Sequence, residues 1–411
     1  MKAFHSFFNL ALILCLLSCT NNNYTDWPQW RGPSRDGISP ESGLLSKWPD
    51  DGPALLWSVD TVGDGFSSAV IQDKMVFTQG KKDSVEILSA IDLDGNVKWQ
   101  EVIGRALQSG EWQQSRSTPA YYKNKIYALS AMGDIACFDS QTGKVAWRSK
   151  AFEQFGGDSQ YTAESPLVMD DKVILTPCGY QTTMVALDNL TGETIWRSET
   201  LKDSNYFATP VLIRGKNRNF IFQSSKLYDF IVDPNTGKIV WKDSRISGNM
   251  VPQVIDNQVY FPGDDNKGGS LCRWDDELGK RTVLWSDTVR ALIISGSAVI
   301  DDKIVVSGLP RGIACIDLKT GESIARYNRV RSSNFIVAGN QLYCYEDGTA
   351  RVYLFNITDQ GPELVSSFKT VSGTGPSIAH MAISNGILFI RHGTALMAYS
   401  LKPGAQSDSN S

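Results

Sequence analysis

The stretch Ile135–Trp147, IACFDSQTGKVAW, is written again at Met184–Trp196 as MVALDNLTGETIW and at Phe230–Trp241 as FIVDPNTGKIVW. Each copy is a short apolar strand ending in Asp, a tight turn carrying Gly, and a second strand ending in Trp. Asp139, Asp188, Asp233 and Asp317 end such strands and are expected to bond the backbone of the turn that follows, while Gly143, Gly192, Gly237 and Gly321 supply the positive φ that a three-to-five-residue hairpin needs. Each Trp offers a large apolar face to a neighbouring unit, which is how a repeat that cannot bury itself alone acquires a core.

Upstream of each copy lies another strand pair around a turn such as QDK or DDK. These pairs run from SSAVIQDKMVF at Ser67 to HMAISNGILFI ending at Ile390, and there are eight of them. Their period of about 40 to 50 residues is that of four-stranded propeller blades. Fourth strands end in or near Trp99, Trp147, Trp196, Trp241, Trp285, Tyr327 and Phe368, which leaves the eighth unit one strand short. The segment PALLWSV, with Trp57, precedes the first unit and is expected to complete the last blade, closing the ring without an open sheet edge. In the sixth unit Ala325 stands where the others have Trp, so Tyr327 is expected to fill that contact or leave it weak. The fold class is therefore all-β, an eight-bladed β-propeller of four-stranded antiparallel blades closed by an N-terminal strand.

The first residues carry one Lys and then an apolar run, Phe7 to Leu17, too short to span a bilayer. Its end, LLSC, resembles the lipobox of bacterial lipoproteins, which implies a leader over 1–18, lipidation of Cys19, and an exported protein anchored in the cell envelope, at the outer membrane by expectation. Residues 19–53 then form a tether and cap, 54–402 the propeller, and 403–411 a polar, disordered tail. Past the leader the odd set Cys137, Cys178, Cys272, Cys315 and Cys344 argues against a disulfide framework, and no Cys or His spacing suggests zinc. A net charge of −4 with no basic cluster excludes nucleic acid as a partner.

The D..TGK..W units and the opening WPQWRGPSRDGIS at Trp27–Ser39 resemble the eight-bladed propellers with pyrroloquinoline-quinone-type repeats. That family includes quinone-dependent dehydrogenases, the lipoprotein subunit of the outer-membrane β-barrel assembly machine, and other exported propellers, so the repeat speaks for the fold more than for a function. Trp27, Trp30 and Arg31 are expected to pack over one end of the propeller.

Three functional readings follow. A PQQ-dependent dehydrogenase of sugars or alcohols would hold quinone and calcium on the axis, where Asp64, Arg116, Glu164, Tyr206, Asn249, Ser295, Asn334 and His380 precede the inner strands. Glu164 is the candidate base or calcium ligand, with Asn249 or Asn334 supplying an amide oxygen to the cofactor site. The resemblance also implies a vicinal Cys pair in many such enzymes, and this chain has none. A lyase reading sets His380 with Tyr161 and Arg116 around a uronate. The third and preferred reading is a non-catalytic, lipid-anchored scaffold for a protein or glycan partner, without a metal or cofactor. Insertions before the second, third and fourth units gather Trp112, Phe152, Phe155, Tyr161, Tyr206 and Phe207 on one face.

Overall fold

In the computed structural model the inner strands of the eight blades are Val70–Gln72, Ala120–Tyr122, Leu167–Met169, Val211–Arg214, Gln253–Ile255, Ser297–Ile300, Ser333–Ala338 and Ala382–Ser384. The structure describes residues 25–110, 112–157, 162–215, 218–245, 252–256, 258–263, 267–274, 281–290, 296–308 and 312–404. Each of the first seven inner strands starts an antiparallel meander of four strands and the eighth a run of three, and the chain steps from one blade to the next around the ring. The predicted closure is present: Leu55–Val59 pairs antiparallel with Ala395–Ser400, Leu55 opposite Tyr399 and Val59 opposite Leu396. First and last residues of the ring thus share one sheet, so the eighth blade cannot form without both ends of the chain.

The repeated Asp behaves as the sequence implies. The Asp188 carboxylate accepts from the Leu190 and Thr191 amides at 2.9 and 2.8 Å, and Asp317 accepts from Lys319 and Thr320 at 2.9 and 2.7 Å. The Thr142 hydroxyl first, then its amide, hold the Asp139 carboxyl below the usual range, and the Thr320 amide does the same for Asp317.

The Gly has a second duty that its turn chemistry does not reveal. A Cβ on Gly143 would lie 2.7 Å from the Trp99 ring, on Gly192 2.7 Å from Trp147, on Gly237 2.5 Å from Trp196, and on Gly321 2.6 Å from Trp285. Each Trp therefore lies flat on the turn of the following blade, where only a glycine leaves room. The indole N–H then donates to a carbonyl of that same turn: Trp57 to Leu93 at 2.8 Å, Trp147 to Asn189 at 3.0 Å, Trp196 to Pro234 at 2.9 Å and Trp285 to Leu318 at 3.0 Å. A bulge sets this up. Ahead of Trp147 the register skips Ala146, and ahead of Trp196 it skips Ile195, turning the next side chain toward the neighbour.

Where the Trp is missing, other groups take its place. Ala325 rests against Gly361, whose added Cβ would stand 2.4 Å away, and Tyr327 packs on Phe355 with ring centroids 5.0 Å apart. In the seventh blade Ser366 holds the position after the bulge, and its hydroxyl accepts from the Trp48 amide at 3.0 Å. Trp48, from the segment before the closing strand, supplies the aromatic there and meets Phe368 edge-on at 5.2 Å.

Cys137, Cys272 and Cys315 are buried between strands, and burial pushes the Cys137 and Cys315 thiols up to about 11, as expected of inert packing groups. Among the described residues no helix is long and apolar enough to cross a membrane. The leader, Cys19 and the tail from 405 onward lie outside the described residues.

Candidate functional site: the axis and the insertion face

The segment Trp27–Ser39 touches the innermost strand, or the residues just before it, in every blade. Trp27 exchanges backbone hydrogen bonds with Ile71 in blade 1, and the Pro28 carbonyl accepts from the Tyr121 amide in blade 2. The Arg35 guanidinium donates to the carbonyls of Ser165, Pro166 and Pro210, at 3.2, 2.5 and 2.9 Å, joining blades 3 and 4. Gln253 of blade 5 and Arg31 both donate to the Asp36 and Ser297 carbonyls, the latter belonging to blade 6. Ile38 and Ser39 add a parallel edge to Val337 and Ala338 in blade 7, and Trp30 meets His380 of blade 8 edge-on at 5.0 Å. A segment in contact with eight converging strands lies across the axis. It is a plug.

The physical logic of the plug is carbonyl satisfaction. Inner strands begin with carbonyls directed toward the channel, and buried carbonyls without donors are costly. Two arginines provide several donors each from a short loop, at the price of taking two cations out of water: burial lowers Arg31 to about 10 and Arg35 to about 9. Both residues sit at φ 58, a left-handed conformation the loop needs to turn within the channel.

Glu164 stands beside this plug. Its carboxylate accepts from the Thr176 amide at 2.7 Å and from the Gln223 side chain at 3.2 Å, and burial raises it to about 7 against those bonds and the nearby Arg35 charge. Glu86 in blade 1 is built in the same manner. It accepts from the Ala131 amide, Gln79 and the Ser115 hydroxyl, at 2.8, 3.2 and 2.5 Å, and burial again raises it to about 7. Glu86, in a strand of blade 1, is tied to a loop of blade 2, and Glu164, in the loop ahead of blade 3, is tied to a strand of blade 4. Glu86 was missed in the sequence because it lies within a strand, away from the positions before the inner strands.

The insertion face carries different chemistry. The Arg116 side chain donates to the Trp112 carbonyl at 2.8 Å through Nε and to the Thr162 carbonyl at 3.4 Å, and its guanidinium stands 5.9 Å from the centre of the Phe207 ring. It thereby fastens the insertions before blades 2, 3 and 4 together. Arg245 covers the Tyr206 ring at 4.4 Å, and Tyr206 meets Phe207 at 5.3 Å. Among the described residues, Trp112 and Phe207 are the aromatic side chains held at positive φ, 58 and 43. Such strain in bulky residues persists where surrounding contacts impose it, and it clusters at functional loops.

Two of the expected face aromatics are not on the surface. Phe152 and Phe155 lie on the short helix Ala151–Phe155 and are 1% and 0% exposed, inside the core shared by blades 2 and 3. The physical reason is the helix itself: residues three apart share a face, and here that face is the inner one. Phe152 rests on Gly133, where an added Cβ would lie 2.2 Å away. They pack the insertion onto the ring, and Trp112, Tyr206 and Phe207 remain as the surface aromatics. Tyr161, Asn249 and Ser295 lie outside the described residues.

Comparison with known proteins fits this architecture. The family model described as outer membrane protein assembly factor BamB matches residues 38–176, 104–245 and 181–407. The chain belongs to this family. The outer membrane protein assembly factor BamB of Shewanella oneidensis is 25% identical over 296 residues, 68% of each chain. BamB from Moraxella catarrhalis superposes with a TM-score of 0.61 at 15% identity, over 86% of this chain and 99% of that one. A europium-containing methanol dehydrogenase does so with a TM-score of 0.62 at 13% identity, over 90% of both chains, a likeness of fold alone.

The axial residues that the structure describes do not fit a calcium-bound quinone. Both Glu164 oxygens already accept hydrogen bonds, and the cation facing that carboxylate is the chain's own Arg35. The Asn334 amide donates to the Ile378 carbonyl. Among the described residues no three His, Cys, Asp or Glu side chains gather as a metal would require. Of the lyase trio, Tyr161 lies outside the described residues; His380 meets Trp30 edge-on in the plug, where burial first and the Arg31 charge second push its pKa well below the usual range, while Arg116 is committed to the insertion loops.

Proposed function

We propose that this chain is a non-catalytic scaffold of the bacterial cell envelope that assists outer-membrane protein assembly, docking a protein partner on the face of Trp112, Tyr206 and Phe207. The observation that carries the reading is the insertion face itself, three loops of adjacent blades fastened by Arg116, two of which hold an aromatic, Trp112 and Phe207, at positive φ. Family membership supplies the class of partner. Aromatic groups presented by loops on a rigid scaffold are a common binding arrangement, because little entropy is lost on docking.

In this reading Cys19 carries the lipid. Thr25, six residues on, is tied to Ser384 and Asn385 at the turn after the inner strand of blade 8. That turn lies opposite the insertion loops, so the anchored side faces the bilayer and the aromatic face points away from it. Two experiments test the proposal. Deleting the gene should lower the amounts of outer-membrane β-barrel proteins, and an unchanged inventory rules the assembly role out. Substituting Cys19→Ser should move the protein from the membrane to the soluble fraction; retention on the membrane contradicts the anchor.

A further inference from the structure

Beside the docking face, between blade 1 and the insertion before blade 2, is a cavity of about 440 Å³ lined by Asp64, Lys81, Asp83, Gly110, Trp112, Gln113 and Gln114. That size lies within the range of about 300 to 1,000 Å³ typical of small-ligand sites. Its wall chemistry is unlike the apolar lining of most such sites. Trp112 alone contributes a large apolar surface, is 43% exposed, and is held edge-on by Phe66 at 5.9 Å. The rest are carboxylates, amides and one amine.

The charges are close to balanced. The Lys81 ammonium is already engaged, donating to the Leu107 carbonyl at 2.8 Å and to Gln113 at 3.2 Å. Asp64 faces the Arg391 guanidinium, which is 1% exposed and donates to the Gly63 carbonyl at 2.7 Å. The acceptors are the groups left over. Among the described residues neither the Asp64 nor the Asp83 carboxylate receives a hydrogen bond, and the Gln114 side-chain oxygen is buried without a partner.

A ligand for this cavity must donate several hydrogen bonds, present one apolar face to an indole, and carry little charge. An anion meets two carboxylates and a lysine already spoken for. A cation meets Lys81 and, behind Asp64, Arg391. An apolar molecule leaves the acceptors unsatisfied, which is costly. A pyranose ring meets all three requirements: its hydroxyls donate to carboxylate and amide oxygens while its C–H face lies on Trp112. We infer that the cavity is a subsite for a hexose unit of a neutral glycan, with Trp112 as platform and Asp64, Asp83 and Gln114 as hydroxyl acceptors. This adds a second ligand to the proposed scaffold and does not depend on that reading, since sugar binding is measured on the isolated protein and the assembly role on the barrel inventory of cells.

The test is calorimetric titration of the purified chain with maltohexaose, cellohexaose and mannohexaose, at low and high salt, with hexalysine as a charged control. Saturable binding of at least one sugar is expected, unchanged by salt, and weakened at least about tenfold by Trp112→Ala and by Asp83→Asn, a loss of one decade in affinity. Both side chains are at the surface, so the variants should keep the wild-type melting temperature; Gln114→Ala is the third variant should either melt early. No saturable binding by any of the three sugars, sugar binding that survives the substitutions, or binding of hexalysine in place of the sugars would each overturn the inference.

Discussion

The rim of the propeller and its axis solve the same problem, joining blade to blade, by opposite means. At the rim one device is copied around the ring, an indole laid on the next blade's glycine with its N–H on the next turn. At the axis a single segment, Trp27–Ser39, reaches the inner strand of each blade or the residues just before it, partly through its backbone and partly through Arg31, Arg35 and Trp30. A copied contact can fail in one place and be covered locally, as Ala325, Tyr327 and Trp48 show. A single segment has no substitute. The ring is therefore expected to tolerate losses at the rim and to be sensitive at the plug.

Arg35→Met breaks the comparison where the effect should be largest. Three carbonyls at the starts of blades 3 and 4 lose their donor, and Glu164 loses the nearby cation. Urea unfolding should show a loss of about 4 kcal/mol, given about 1.5 to 3 kcal/mol for a hydrogen bond to a charged group and the cost of leaving buried carbonyls unpaired. A loss under about 1 kcal/mol means the plug lies on the ring without bracing it.

A comparable effect should appear as pH dependence. The folded-state values of Glu86 and Glu164 are raised by burial from 4.5 to about 7. Between those limits the folded state holds protons that the unfolded chain has released, so stability falls as pH rises through that window and levels off above it. The fall is at most about 3 kcal/mol per carboxyl. Glu164→Gln should remove roughly half of this slope, and an unchanged slope would show that these acids are not what titrates.

The rim gives a smaller and finer test. Gly237 and Gly339 both hold positive φ, 73 and 59, yet an added Cβ meets the Trp196 ring at 2.5 Å in the first and nothing within 4 Å in the second. Gly339→Ala should cost about 1 kcal/mol, the backbone term alone. Gly237→Ala should cost about 2 to 3 kcal/mol, because the indole must also move. Equal losses would mean the glycine serves only the turn.

The rim was legible in the sequence because repetition turns a weak signal into a pattern: Asp, Gly and Trp at fixed spacing imply strand end, turn and inter-blade contact. The closing strand was legible by subtraction, from an eighth unit lacking its partner and Trp57 lying ahead of the first. What the indole does was only half visible, since the glycine beneath it belongs to the next unit and the bulge that aims it leaves no residue signature. The axis is the least legible part. WPQWRGPSRDGIS marks a cap, but nothing in it says that Arg31 and Arg35 reach backbone carbonyls of distant blades, because those acceptors carry no side-chain identity. Phe152 and Phe155 show the same limit from the other side. Their placement on a buried helix face depends on Gly133 and blade 2, which lie too far away in the chain to constrain a local reading.

The central claim is that the repeat is architecture and that function resides on the insertion face. It is tested most directly by complementing a deletion strain with two variants and quantifying outer-membrane β-barrel proteins. One carries Tyr206→Ala and Phe207→Ala on the insertion face. The other carries Leu190→Ser at a turn of the opposite face, where Leu190 is 69% exposed. With both variants folded and equally abundant, the account predicts that the first fails to restore the barrel proteins and the second restores them fully. Restoration by the first, or failure of the second alone, would contradict it.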